Sequence, residues 1–385
     1  MTSPDLEEEE IVLRVLHTAD WHLGRRFNSF PEIDATKLTR ARLEVLDSIF
    51  GLAERESVNA VLCAGDLFDD PFPVQEWWQP LTDMLGKLAW KSRPMFMLPG
   101  NHDPLVAESV WSSGHPFRRA LPSFVHVVDK DDFTYPLGDN AVLYAVPCLS
   151  KAGQKDPSDA IPCREPGDTR IRIGMMHGST FDMEEHQTNF PIGEDSAVRR
   201  GLDYLAIGDT HGFRYVPPNR RVPPTIYPGA PEPTAFDEKE PGHVAVVNFT
   251  RRREAQVRPE RVAAWTWEDV TVKSLAELQA LHDRRDLGKR CLQLHVEMRL
   301  PPADYGQAEA LLRDLQGTSA KVGRAGILVL DRARMDLDTT DMATLVAGWP
   351  EVLVRTANLI KADPDAEPRV AEQALYKLYE LSRRP

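Results

Sequence analysis

The sequence predicts an α/β fold built on a layered sheet, and three observations predict it. Six short apolar runs recur through the first half of the chain: Ile11–Leu16, Ala60–Cys63, Met95–Leu98, Ala141–Val146, Ile171–Met176 and Tyr204–Ile207. Each is brief and apolar without alternation, as strands buried on both faces are. Segments of helical spacing lie between the first three, and most of the runs end in a tip of His, Asp, Asn and Gly. Strand–helix–strand alternation of this kind builds a sheet covered by helices.

Composition sets the outer limits. The 385 residues are 42% hydrophobic and 27% charged, ordinary for a globular chain and enough for two to three domains at about 150 residues each. No apolar stretch approaches the roughly 18–20 residues of a membrane span, so no membrane partner is expected. The Met1–Glu10 segment is acidic where a secretory signal is basic and then apolar, and the expected location is cytoplasmic. Cys63, Cys148, Cys163 and Cys291 form no Cys-x-x-Cys pair, which points to neither a disulfide framework nor a zinc ribbon. The net charge of −13 argues against a surface coated for nucleic acid, though it leaves room for a local basic groove.

In order along the chain, residues 1–10 read as a disordered acidic tail, their Glu7–Glu10 run repelling itself. In Ala41–Arg55, Leu43, Leu46, Ile49, Phe50 and Ala53 fall at helical steps of three and four, and Trp77, Trp78, Leu81, Leu85 and Leu88 do the same in Val74–Trp90. The tryptophans read as core or as a contact with a second copy, and Cys63 as a small buried hydrophobe. Residues 217–241 are proline- and glycine-rich loops around a short strand near Ile226, and His243–Phe249 is a further strand. A first domain therefore spans 11–267. Beyond Trp267, an alternating strand at Cys291–Leu300, a helix at Ala303–Leu315 and a strand at Gly326–Leu330 make a small β-α-β domain over 268–335. The remainder, 336–385, reads as helical, with Ala371, Ala374, Leu375, Leu378 and Leu381 on one stripe of Pro368–Ser382.

Chemistry concentrates at the strand tips. Asp20-Trp-His22, Gly65-Asp66, Gly100-Asn-His-Asp103, His177-Gly178 and Gly208-Asp-Thr-His211 each follow an apolar run. In open α/β sheets functional groups collect at the carboxyl ends of strands. For Asp20/His22 and Asp209/His211, an extended backbone would point residues i and i+2 the same way. Carboxylate, imidazole and amide donors without thiolate suit Mn²⁺, Mg²⁺, Fe²⁺ or Zn²⁺. Seven candidates over-supply one ion but serve two that share a bridging carboxylate.

These five blocks, in this order, resemble the signature of the calcineurin-like metallophosphoesterases. More narrowly, His17-Thr-Ala-Asp-Trp-His-Leu-Gly24, Ala64-Gly-Asp-Leu-Phe-Asp69, Leu98-Pro-Gly-Asn-His-Asp103 and Tyr227-Pro-Gly-Ala230 resemble the SbcD-like DNA-repair exonuclease branch. The resemblance covers about residues 11–250. It implies a β-sandwich flanked by helices, with 268–335 as an α+β capping domain and 336–385 as a partner-binding helical region. It further implies a first divalent ion on Asp20, His22, Asp66 and His211, and a second on Asp66, Asn101, His177 and Asp209. His102 would act on the leaving group without ligating metal, with Asp103 orienting it. The family usually carries His where this chain has Asp209. A third carboxylate favours Mn²⁺, with Mg²⁺ or Fe²⁺ as alternatives, over Zn²⁺, provided that Asp209 reaches the second ion.

The implied activity is that of a DNA nuclease subunit working with an SbcC-like SMC-type ATPase. A small-molecule phosphodiesterase and a non-catalytic scaffold are the rival readings. His17 is expected to support the site by a hydrogen bond or else to be a core histidine. Arg25 and Arg26, just after the first ligand pair, are candidate phosphate contacts. Nine basic residues between Arg214 and Arg261 could form a phosphate-tracking groove or be scattered over the surface. The run Asp182-Met-Glu-Glu-His186 reads as a solvated loop. The Pro368–Ser382 stripe either packs on its own domain or docks on the ATPase. A homodimer through Val74–Trp90 is the remaining partner expectation.

Overall fold

A computed structural model of the chain describes residues 10–90, 93–180, 189–219, 222–318, 321–364 and 366–382. The acidic tail to residue 9, Arg220, Arg221 and the 182–186 run lie outside the described residues. Two compact units divide between Trp265 and Thr266.

The first unit opens β1 (Ile11–Thr18), α1 (Glu32–Arg55), β2 (Ala60–Cys63), α2 (Gln75–Lys87), β3 (Met95–Met97), α3 (Pro116–Ala120) and β4 (Val125–Val127). It continues with β5 (Phe133–Pro136), β6 (Ala141–Val146), β7 (Ile171–His177), α4 (Ser196–Arg199) and β8 (Tyr204–Gly208). β9 (Arg214–Tyr215), β10 (Thr225–Tyr227), β11 (His243–Thr250) and β12 (Ala255–Arg261) close it. These strands form two mixed six-stranded sheets, ordered β12-β11-β1-β2-β3-β4 and β5-β6-β7-β8-β10-β9. β1 to β4 run parallel, with β11 antiparallel to β1; β6, β7, β8 and β10 run parallel in the other sheet.

The apolar runs show why both sheets are sandwiched. In β2, Val61 and Cys63 face a core shared with Leu46, Ile49 and Phe50 of α1 and Leu81 and Leu85 of α2. Its alternate residues Ala60 and Leu62 face Leu143, Ile173, Met175 and Ala206 of the opposite sheet. A third apolar layer, with Val142, Met176, Leu205 and Ile207, covers the outer face of that second sheet. A strand with core on both sides has no polar face to show, so its sequence is continuously apolar. The fold is thus an α/β sandwich of two sheets flanked by helices. α1 begins nine residues ahead of the Ala41 start read from periodicity, because Glu32 and Asp34 favour its first turn although that turn buries little.

The second unit contains β13 (Thr266–Val272), α5 (Leu275–His282), β14 (Arg290–Leu300), α6 (Pro302–Gln316), the short pair β15 (Gly317–Thr318) and β16 (Lys321–Val322), and β17 (Ile327–Leu337). It ends in α7 (Met342–Leu345), α8 (Glu351–Ala362) and α9 (Pro368–Ser382). β13, β14 and β17 make a three-stranded parallel sheet. β13 crosses the expected boundary at 267/268, and β17 runs past that at 335/336. Leu345, Ala357, Leu375, Leu378 and Tyr379 share one core with Leu292, Leu294, Val296 and Leu312. The 336–385 helices are therefore part of the same packed body as 268–335. Among the described residues, no helix is long and apolar enough to cross a membrane.

Candidate metal centre

The loops after β1 and β2 run side by side. Asp20 N donates to Gly65 O (3.0 Å), His22 N to Asp66 O (2.9 Å) and Leu23 N to Leu67 O (2.9 Å). This ladder has an irregular backbone: Asp20, His22 and Asp66 have φ of 56°, 43° and 53°, and Asp209 has 114°. The expectation that extended alternation aims Asp20 and His22 is therefore corrected. Left-handed turns aim them, a conformation that costs of order 1–3 kcal/mol per non-glycine residue and that surrounding structure must hold. Glycine makes the crowding possible. A Cβ on Gly65 would lie 2.2 Å from His177 Nδ1, and one on Gly100 would lie 2.2 Å from Asp66 Oδ1.

Asp20, His22, Asp66, His177 and His211 converge, forming overlapping triads Asp20–His22–His211 and Asp20–Asp66–His177. Three imidazoles have their Nδ1 against an acceptor. His22 Nδ1 lies 3.1 Å from Asp69 Oδ1, His177 Nδ1 2.9 Å from Ala64 O, and His211 Nδ1 2.7 Å from Glu238 Oε1. Each Nδ1 therefore carries a hydrogen, and in the neutral ring Nε2 presents a lone pair. Yet His22 Nε2 and His211 Nε2 face one another at 3.2 Å. His177 Nε2 faces Asn101 Oδ1 at 2.8 Å, Asp66 Oδ2 at 3.4 Å and Asp209 Oδ1 at 3.8 Å. Asp66 Oδ2 also lies 3.7 Å from His22 Nε2, placing that one oxygen between both groups. Imidazole Nε2 atoms and carboxylate oxygens aimed at common points are what a divalent cation satisfies. The donor set fits hard to borderline ions.

Electrostatics express the same crowding. Burial lowers His22 well below the ordinary imidazole range and raises Asp20. Burial also opposes a charge on His177, but Asp66, Asp20 and Asp209 outweigh it and raise that ring well above its usual value. A proton on His177 is the nearest substitute for a cation in a pocket of this charge.

Asp209 reaches the site. Its Oδ2 accepts from Ser179 Oγ at 2.7 Å, and its backbone N–H donates to the Asp20 carboxylate at 3.1 and 3.2 Å. Asp103 does not orient His102. Its carboxylate is fully buried and accepts from the backbone N–H groups of Phe68 (2.9 Å) and Gly100 (2.8 Å), so it ties the second and third loops together. Asp69 stands by His102 instead: its carbonyl oxygen lies 3.4 Å and its Oδ1 3.8 Å from His102 Nδ1. The same Oδ1 holds His22, so one carboxylate serves both rings. Its position, three residues after Asp66 in Gly-Asp-Leu-Phe-Asp69, was the signal available in the sequence.

His17 does not touch the candidate ligands. It lies between the sheets with Nδ1 2.8 Å from Tyr204 Oη, and burial pushes it down to about 3, so it is a neutral core histidine. Arg25 lines a cleft of about 1110 Å³ beside the site and lies 3.6 Å from Asp69 Oδ1, whereas Arg26 is exposed and absent from the cleft wall. Of the basic residues between Arg214 and Arg261, Arg214 and Lys239 line the cleft. Arg251 and Arg258 instead pair with Glu10, Glu56 and Glu260.

A two-sheet sandwich with overlapping His/Asp triads at its strand ends defines a metallophosphoesterase. The chain belongs to the calcineurin-like phosphoesterase family, whose profile matches residues 13–213. It is similar to the uncharacterized metallophosphoesterase YhaO of Bacillus subtilis (strain 168), with 27% identity over 224 residues, 56% of this chain and 52% of that protein. The chain thus spans about half the length of this curated relative. Among solved structures, TT1561 of Thermus thermophilus aligns over 66% of this chain and 100% of its own, with 12% identity and a TM-score of 0.40. Vps29 of Entamoeba histolytica, complexed with zinc, aligns over 65% of this chain and 99% of its own, with 15% identity and a TM-score of 0.22.

Proposed function

We propose that this chain hydrolyses phosphodiesters using two divalent cations, and that its substrate is DNA, cut by a nuclease subunit acting with an SMC-like ATPase. The observation that carries the hydrolytic reading is the 3.2 Å approach of two imidazole Nε2 atoms, each with its Nδ1 held by a carboxylate, next to Asp66 Oδ2. Asp20, His22, Asp66 and His211 would hold one ion; Asp66, Asn101, His177 and Asp209 the other. When bound, such a pair lowers the pKa of a water and draws charge from phosphoryl oxygens. His102, with 43% of its side chain exposed, is placed to hold a proton for the leaving oxygen while its Nδ1 rests on Asp69. The third carboxylate, Asp209, favours Mn²⁺ or Mg²⁺ over Zn²⁺. The DNA reading is supported by the SbcD-like motif blocks and by the basic Arg25, Arg214 and Lys239 on the wall of the cleft beside the site.

The test incubates the full chain with Mn²⁺ and single-stranded DNA, duplex DNA or a chromogenic phosphodiester. DNA cleavage is expected. It should fall by about 10²- to 10⁴-fold in His102→Ala, as loss of a general acid predicts, with Mn²⁺ uptake unchanged. Cleavage of the small ester alone would make the chain a small-molecule phosphodiesterase. No turnover on any substrate, even with an SbcC-like ATPase present, would make it a scaffold.

A further inference from the structure

Arg42 sits on the apolar stripe of α1, beside Leu38, Ala41, Val45 and Leu46, and is 1% exposed. Burying a guanidinium costs several kcal/mol unless every donor is met. Among the described residues, its partners are backbone carbonyls. Nε donates to Trp21 O (2.7 Å) and Nη2 to Asp20 O (3.0 Å); Nη1 donates to Glu232 O (3.2 Å) and Pro233 O (3.4 Å). A leucine would continue the stripe more cheaply, so the acceptors explain the arginine.

Those acceptors belong to two separate segments, and each carries one arm of the same gap. Asp20 and Trp21 immediately precede His22. Glu232 and Pro233 immediately precede Thr234, whose N–H and hydroxyl engage Glu238. Glu238 and Thr234 in turn hold His211 Nδ1, at 2.7 and 2.9 Å. One planar fork therefore spans the base of both arms, whose rings approach to 3.2 Å between His22 Nε2 and His211 Nε2.

We propose that Arg42 is a positioning residue that fixes the separation of the His22 and His211 arms and thereby the affinity for the first cation. This rests on the two-ion reading above. Lysine cannot replace it, because a single ammonium cannot reach carbonyls spread along both segments, whereas the planar fork can.

The test is calorimetric titration of the metal-stripped full chain with Mn²⁺, comparing wild type with Arg42→Lys and Arg42→Met. Wild type should take up two ions. In both variants one uptake step should weaken roughly 10- to 100-fold, as losses among outer-shell partners do, and the other should stay within about twofold. The metal-free Arg42→Met protein should stay folded but melt below wild type, since four buried carbonyls lose their donor. Unchanged uptake in both variants overturns the proposal, and so does equal weakening of both steps. Unfolding of both metal-free variants also overturns it, because Arg42 would then hold the domain rather than the site. A wild-type chain that takes up no Mn²⁺ instead overturns the two-ion reading.

Discussion

Asp69 shows how one side chain can carry two roles that residue identity alone assigns to neither. Its Oδ1 accepts from His22 Nδ1 at 3.1 Å and lies 3.8 Å from His102 Nδ1. An acceptor-only carboxylate keeps the His22 hydrogen on Nδ1 and the lone pair on Nε2. In Asp69→Asn the amide can turn its NH₂ toward that ring, moving the hydrogen to Nε2 and closing the lone pair to a cation. Mn²⁺ affinity should fall roughly 10- to 100-fold, read by calorimetry, and turnover should fall with it. A variant that binds Mn²⁺ like wild type would show that the tautomer is fixed elsewhere. Asp103, by contrast, is a tie between loops, and the pKa of its carboxyl is raised well above the usual range by burial.

At the scale of elements, the loops succeed because they lie closer than side chains allow. Gly100→Ala would bring a Cβ to 2.2 Å from Asp66 Oδ1 and 2.3 Å from its backbone N. The backbone cannot yield as a long side chain could. Asp66 should shift, and Mn²⁺ uptake in Gly100→Ala should be lost while the far-ultraviolet spectrum stays native-like. The segment closing the first unit is held differently. Glu232, 2% exposed, accepts from Ala264 N at 2.6 Å and Trp265 N at 3.3 Å. Burial raises it from 4.5 to about 7. A folded-state pKa above the unfolded one favours the protonated native state. This contribution is full below about pH 4.5 and is lost as the pH rises through about 7. Relative to Glu232→Gln, wild type should therefore lose about 3 kcal/mol of stability between pH 4.5 and 8. Parallel urea titrations at the two ends of that range check the sign.

For the whole molecule, the second unit behaves as one body because α8 and α9 complete its core. Leu375 is 2% exposed within that core. Leu375→Ala should destabilise the second unit by about 2–5 kcal/mol, seen as a lowered calorimetric transition. A variant with unchanged melting would mean that α9 is a detachable tail. Of the two accounts of its apolar stripe, packing on its own unit covers Leu375 and Leu378, while Val370 and Leu381 stay exposed.

The strands of both sheets' interiors could be read from residue order because a strand with core on each face must be apolar throughout. The candidate ligands could be located too, since they fall directly after those runs. Helix α1's early start, the three-residue β4 and the charged, proline-bearing edge strand β12 could not be read, because pairing with neighbours makes them strands or helix where local pattern is weak. The same limit applies at the site. Sequence places Asp20, His22, Asp66, Asn101, His177, Asp209 and His211 at strand ends, as hydrophobic patterning dictates. Only tertiary structure decides that left-handed turns aim them, that Asp69 rather than Asp103 stands by His102, that His17 belongs to the core, and that Arg42 spans two arms. Those facts depend on distances between segments remote in the chain, and no local pattern carries a distance.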